Sequence, residues 1–228
     1  MDGLLLVNKP AGVTSHDVVD FIRRRFAIKK VGHAGTLDPP ATGLLILLLG
    51  KRTKDANKFL NHDKEYEATM HLGASTDTAD AEGKVIGHAQ VPELSPQDIK
   101  SVFEKFLGEI EQTPPMVSAI KHQGKSLYKF ARKGIEIPRA PRKVKIYDLT
   151  IKKIQLPEIT FTVRCSKGTY IRTLCEDIGK ALGCGAYQSK LLRIRSGDYH
   201  LDNAIKFEHL KGLSKEELAK IILNTDSH

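Results

Sequence analysis

The chain has only three cysteines, Cys165, Cys175 and Cys184. An odd number at that spacing fits no disulfide framework and no common zinc pattern. Cys165 falls on a strand face and Cys175 on a helix face, so both read as core residues in a reducing compartment. Long apolar runs are scarce as well. Met1 to Lys9 has no positive leading region, and its apolar stretch, Leu4 to Val7, is four residues. That is too short for a signal peptide or a membrane span, so a cytoplasmic protein is expected. Nucleotide-loop glycines are missing: Gly32 and Gly35 lack a third partner, and no Gly-Lys-Ser/Thr follows at phosphate-loop spacing. Thr78 to Gly83 has a slight likeness to a calcium loop, but Thr78 holds the first ligand position and Ala89 the last. A hairpin turn explains that segment better. His62, His71 and His88 have no metal-ligand spacing. Neither a metal nor a cofactor is expected.

Positive charge is what the chain has in excess. Lys and Arg number 36 against 27 Asp and Glu, a formal net charge of +9. Such a surface raises encounter rates with nucleic acid or anionic membranes; the plainer alternative is surplus surface lysine. Apolar residues make up 40% of 228 positions, enough for a sizeable core in one large domain or two small ones.

Leu4 to Val7 reads as a buried strand ended by Lys9-Pro10-Ala11-Gly12. Ser15 is expected to cap a helix with Val18, Val19, Ile22 and Phe26 on one side and Arg23, Arg24 and Lys29 toward solvent. Leu44 to Leu49 is a second buried strand. In the segment from Glu65 to Leu72 the residues Tyr66, Ala68, Met70 and Leu72 alternate with polar ones, which makes a half-buried strand. Ser95 caps, and Pro96 opens, a helix carrying Ile99, Val102, Phe103, Phe106 and Leu107 as far as Gly108. Met116 to Lys145 is strongly basic, with Lys121, Lys125, Lys129, Arg132, Lys133, Arg139, Arg142, Lys143 and Lys145 and only Glu136 among them. Two β-rich runs follow, the second alternating through Ile159, Phe161, Val163 and Cys165. After a turn at Ser166 to Thr169 comes a helix with Ile171, Leu174, Cys175, Ile178 and Leu182, then a short run, Leu191 to Ile194, and a polar helix from Ser214 to Leu223. No regular βαβ repeat appears. The expected class is α+β with a mixed, largely antiparallel sheet flanked by helices and loops.

One acid stands apart. Asp38 lies in Gly32-His33-Ala34-Gly35-Thr36-Leu37-Asp38-Pro39-Pro40-Ala41-Thr42-Gly43, a turn-rich and nearly uncharged stretch just before a buried strand and just after a basic helix. A lone carboxylate on a constrained loop in a basic neighbourhood suits a nucleophile acting on a polyanion. The plain alternative is a turn acid before proline. His33 could be an ordinary exposed histidine, and Tyr66 on an apolar strand face could be core. Arg172 stands four residues before Glu176, so a surface ion pair along one helix would account for it.

The chain resembles the TruB family of pseudouridine synthases. The family's blocks occur in order: Asn8-Lys9-Pro10-Ala11-Gly12; Gly32 to Gly43; Asp63-Lys64-Glu65-Tyr66; Leu72-Gly73 with Thr76-Asp77-Thr78; Pro114-Pro115-Met116-Val117-Ser118-Ala119; Ser166-Lys167-Gly168-Thr169-Tyr170-Ile171-Arg172; and Leu182-Gly183-Cys184-Gly185-Ala186. They span roughly residues 3 to 210. The resemblance implies the pseudouridine synthase fold and isomerisation of the uridine at position 55, in the TΨC loop of tRNA, with no cofactor. It implies that Asp38 is the catalytic aspartate, that Arg172 pairs with it, and that Tyr66 stacks on the target base and assists loss of the C5 proton. His33 would enter the space the base leaves, and Tyr170 and Leu191 would line the base pocket. Lys9 and Lys64, in two of the matched blocks, are taken with the RNA contacts. The basic stretch, about residues 114–145, would clamp the T arm through its phosphates. A single catalytic domain over 1–228 is expected, monomeric, without a membrane or an obligate protein partner. Bacterial members usually continue into a PUA-type RNA-binding domain, and the chain ends soon after the helix at Ser214, so weaker tRNA affinity with chemistry retained is expected. The runner-up is a non-catalytic tRNA-binding or tRNA-folding protein on the same fold, and the third reading is a generic basic nucleic-acid-binding domain.

Overall fold

The computed structural model describes residues 1–118, 120–122, 124–131 and 133–223. Ala119 of the Pro-Pro-Met block and Arg132 of the basic stretch lie outside the described residues. Two compact units are present, Met1–Tyr66 with Leu191–His228, and Glu67–Lys190.

In chain order the elements begin with β1 (Gly3–Lys9), α1 (Ser15–Arg25), β2 (Val31–His33) and β3 (Thr42–Leu49). A 3-10 helix (Gly50–Asp55), α2 (Ala56–Leu60) and β4 (Lys64–Leu72) follow. Next come β5 (Ala74–Thr76), β6 (Val85–His88), α3 (Pro96–Glu104), β7 (Gly108–Gln112), β8 (Lys121–His122), β9 (Lys125–Ser126) and α4 (Leu127–Ala131). The chain then forms β10 (Arg142–Gln155), β11 (Glu158–Cys165), α5 (Ile171–Ala181) and β12 (Ala186–Ser196). It finishes with β13 (Tyr199–His200), β14 (Ile205–Lys206), α6 (Phe207–Leu210) and α7 (Lys215–Ile221).

In the first unit the strands run in the order β14, β1, β3, β12, with β2 on β3 and β13 on β12. β1 and β3 are antiparallel, while β1 with β14 and β3 with β12 are parallel, so the sheet is mixed. The uninterrupted run Leu44 to Leu49 is possible because both faces of β3 are covered. Leu45, Leu47 and Leu49 pack with Val18, Val19, Ile22 and Phe26 of α1 and its C-terminal end. Leu44, Ile46 and Leu48 pack on the other face with Leu4, Leu6 and Phe59. Gly43 lets β12 approach: it has φ +100°, and a Cβ there would stand 2.4 Å from the Arg193 carbonyl oxygen.

The N-terminus of α1 differs from the expectation. Thr14, not Ser15, is the cap, and it forms a reciprocal capping box with Asp17. Ser15 is buried and its hydroxyl is used elsewhere, on the backbone of Leu37.

In the second unit the order is β4, β11, β10, β7. Ile159, Phe161, Val163 and Cys165 all point inward, as their alternation predicts. Phe103 of α3 meets Phe161 edge-on, with ring centroids 5.4 Å apart. The Ser95 cap and the Pro96 first position hold, but α3 ends at Glu104 and Leu107 is exposed. Ile171, Leu174, Cys175 and Ile178 of α5 are buried. The segment Thr78 to Gly83 is the connection between β5 and β6, a hairpin. The short run at Leu191 is part of a longer strand, β12, because its backbone also pairs before and after the aliphatic residues.

Candidate active site

Asp38 lies on the loop between β2 and β3, half-buried. Its own carbonyl accepts from the Ala41 N–H at 3.0 Å, which closes a turn around Pro39 and Pro40. The residue before it is fixed by α1: Ser15 Oγ accepts from the Leu37 N–H at 2.8 Å and donates to the Leu37 carbonyl at 3.1 Å. The residue after it is fixed by the end of β1. The Pro39 carbonyl accepts from the Gly12 N–H at 2.9 Å and from the Lys9 ammonium at 3.1 Å. Both flanks of Asp38 are thus held by donors from other elements.

Lys9 and Lys64 are corrected here. Lys9 is fully buried, and its ammonium also donates to the carbonyls of Pro10 and Val13 at 2.9 and 2.7 Å. Lys64 is buried and donates to the carbonyls of Leu60 and His62 at 2.8 and 2.6 Å. A buried ammonium needs such oxygens more than a surface phosphate does. These two lysines staple loops.

His33 ends β2. Burial, and then the nearby positive charges of Arg193 and His16, hold its pKa below the ordinary histidine value. The ring is therefore neutral at neutral pH, and its Nδ1 is buried without a hydrogen-bond partner. Tyr66 and Leu191 both pack, partly buried, against the core cluster that backs β3.

Arg193, on β12, was overlooked in the sequence. Its side chain is buried, with 2% exposure for the residue. Nε donates to the Leu44 carbonyl at 2.7 Å and Nη2 donates to the Gly35 carbonyl at 3.1 Å. The guanidinium also hydrogen-bonds Tyr66. Burial pulls its pKa down and Tyr66 opposes that shift. The signal in the sequence was an arginine inside an aliphatic strand, Leu191-Leu192-Arg193-Ile194.

In the second unit, Arg172 occupies the first turn of α5 and is buried. It does not pair with Glu176, which takes Lys180 at 2.6 Å. Its Nη1 donates instead to Asp80 Oδ2 at 3.1 Å, and its Nη2 to the Val117 carbonyl at 2.6 Å. Asp80, in the turn between β5 and β6, is the second residue that was missed. The Arg172 guanidinium also stands 5.9 Å from the centre of the Tyr170 ring. Gln112 fixes Tyr170 from both sides of its peptide, accepting from its N–H at 3.1 Å and donating to its carbonyl at 3.3 Å. In the basic stretch, Lys143 is paired with Glu109 and Arg139 with Glu136. Among the described residues no cluster of His, Cys, Asp or Glu could hold a metal ion, and no helix is long and apolar enough to cross a membrane.

Residues 23–171 match the family described as TruB family pseudouridylate synthase (N terminal domain), and residues 172–228 match the tRNA pseudouridylate synthase B C-terminal domain. By class the protein is therefore a pseudouridine synthase, an isomerase. A "tRNA pseudouridine synthase B" of Syntrophotalea carbinolica is 44% identical over 224 residues, covering 98% of this chain and 73% of the relative. A protein of the same name from Opitutus terrae is 44% identical over 223 residues, covering 98% of this chain and 92% of the relative. Among solved structures, a chain in a Cbf5-Nop10-Gar1 complex is 32% identical with a TM-score of 0.74, covering 97% of this chain and 59% of that one. The chain belongs to the TruB family.

Proposed function

We propose that this protein converts uridine to pseudouridine at position 55 in the TΨC loop of tRNA. The names of its relatives support tRNA as the substrate class, and the Gly35-Thr36-Leu37-Asp38-Pro39 block supports the position. The observation that carries the proposal is the bracing of Asp38. Its loop is held on both flanks, and one buried arginine bonds both that loop and Tyr66.

The reaction breaks the C1′–N1 bond, turns the uracil and joins C1′ to C5. The hydrogen on C5 is lost and N1 gains one, so the product is an isomer. Nothing is oxidised, and no group is imported. Asp38 supplies the carboxylate at C1′, by attack there or by assisting a glycal-like intermediate. Arg172 supplies the positive charge that favours its ionised form. The base must first leave the T-loop stack, at a cost of a few kcal/mol. Tyr66 stacks on the extruded base, and Tyr170 and Leu191 contact it. His33, kept neutral by burial, takes the vacated space without a charge to desolvate. The basic stretch meets T-arm phosphates, which position the RNA without reading it. The protein works in the cytoplasm as a monomer, without a cofactor or protein partner.

The test is incubation with unmodified tRNA transcript, followed by carbodiimide treatment and primer extension. A new stop at the TΨC-loop uridine is the expected result. Binding without a stop would instead favour a non-catalytic tRNA-binding protein.

A further inference from the structure

Arg193 is a buried cation to which no function has been given above. Among the described residues no carboxylate forms an ion pair with it. Its partners are two backbone carbonyls and one phenol. An unpaired buried guanidinium is costly, and an aliphatic side chain in a strand such as Leu191-Leu192-Arg193-Ile194 would serve the core more cheaply. What the aliphatic side chain could not do is reach three acceptors at once. Guanidinium has donors only, so the Tyr66 oxygen must accept. The three acceptors come from separate elements: Gly35 from the loop of Asp38, Leu44 from β3, and Tyr66 from β4.

We propose that Arg193 is a positioning residue, whose planar fork fixes the Tyr66 ring relative to the loop that carries Asp38. The proposal rests on the roles given to Asp38 and Tyr66 in the proposed function. A lysine keeps the charge but replaces the fork with one compact ammonium. It therefore cannot keep three diverging acceptors in register. A shift of about an ångström between reacting groups can slow chemistry roughly a hundredfold. tRNA binding, which depends on many phosphate contacts, has no reason to change with it.

The experiment uses the full chain and tRNA transcript carrying tritium at uridine C5, with label release timed under single-turnover conditions. Release by the unaltered protein comes first; its absence would refute the proposed function and leave Arg193 out of the matter. Given release, Arg193→Lys is expected to slow it about a hundredfold, with tRNA affinity within about threefold and an unchanged melting curve. In the Tyr66→Phe background the same substitution is expected to cost no more than about twofold, because its effect runs through the lost hydroxyl. Equal losses in both backgrounds, or an Arg193→Lys rate within about threefold of normal, would overturn the proposal. If Tyr66→Phe is too slow to time, the ¹³Cζ signal of Tyr66, assigned by its absence in that variant, decides: a shift on Arg193→Lys supports the proposal and an unmoved signal refutes it. Should the lysine variant fail to fold, Arg193→Gln is read by the same measures.

Discussion

Asp80→Asn removes one charge from a buried pair while keeping the side chain's shape. Asp80 and Arg172 have side chains only 5% and 4% exposed, with 3.1 Å between oxygen and nitrogen. The other carboxylate oxygen is also occupied, accepting from the Thr78 hydroxyl at 2.6 Å and the Glu82 N–H at 3.1 Å. In the asparagine variant one of the two oxygens becomes an NH₂ group. Placed toward Arg172, it sets donor against donor. Flipped, it faces the Glu82 N–H, which cannot accept. No orientation satisfies every group. At an effective dielectric of about 20, opposite charges at this separation attract by roughly 5 kcal/mol. Breaking a buried pair typically costs about 3–5 kcal/mol. The Val117 carbonyl still accepts from Arg172, so a loss of about 3 kcal/mol is expected, at the lower end of that range. With a urea slope of about 3 kcal/mol/M, the midpoint of the transition should fall by about 1 M. Because both residues lie in Glu67–Lys190, amide exchange in α5 gives a local check, with rates rising roughly a hundredfold. A loss below about 1 kcal/mol would refute the reasoning, since that is the size of an exposed pair.

Asp38→Asn should abolish pseudouridine formation while tRNA affinity stays within about tenfold, as shape is kept and charge removed; primer extension and filter binding read the two, and a large binding loss would mean a structural role. Gly43→Ala should destabilise the first unit by more than about 2 kcal/mol, because its Cβ would meet the Arg193 backbone at 2.4 Å and φ is +100°; a variant that melts like the parent would show that β3 and β12 can part easily. Acid should loosen α1 in a way that depends on Asp17. Its carboxyl stands below the usual 3.8 because the Thr14 hydroxyl, then the Thr14 N–H, donates to it. A depressed folded pKa gives stability that is present above the unfolded value and lost as pH falls through the folded one. The melting temperature of Asp17→Asn should therefore fall less than the parent's between about pH 5 and pH 2.5, and parallel curves would dismiss the capping box as a contributor.

What could be read in the sequence was what neighbouring residues decide. Ser95-Pro96 and Asp98 cap α3 within one turn, and the alternation from Ile159 to Cys165 buries the side it should. Even the misplaced cap of α1 has a non-local cause. Thr14 and Ser15 are equally good caps by type, and the choice is made by Leu37, which is 22 residues away and claims the Ser15 hydroxyl. The polar residues of the candidate site follow the same rule over longer separations. Arg172 finds Asp80 at a separation of 92 residues, and Arg193 finds Leu44 and Gly35 at 149 and 158. No window of local pattern contains both members of such a pair.

That separation also explains why Lys9 and Arg193 were misjudged in opposite directions. By type, a lysine in a family block of an RNA-modifying protein is a phosphate contact, and an arginine in an aliphatic strand is a core anomaly. Burial reverses the order. Lys9 spends its donors on carbonyls around the Asp38 loop, so its charge is unavailable to RNA. Arg193 spends its donors on that same loop and on Tyr66, so its geometry bears on the reaction although it meets no substrate. In both cases the cation acts on the backbone that presents Asp38. A carboxylate on a glycine- and proline-rich loop gains its fixed position from such donors, because its own neighbours, Leu37 and Pro39, have no polar side chains with which to hold it.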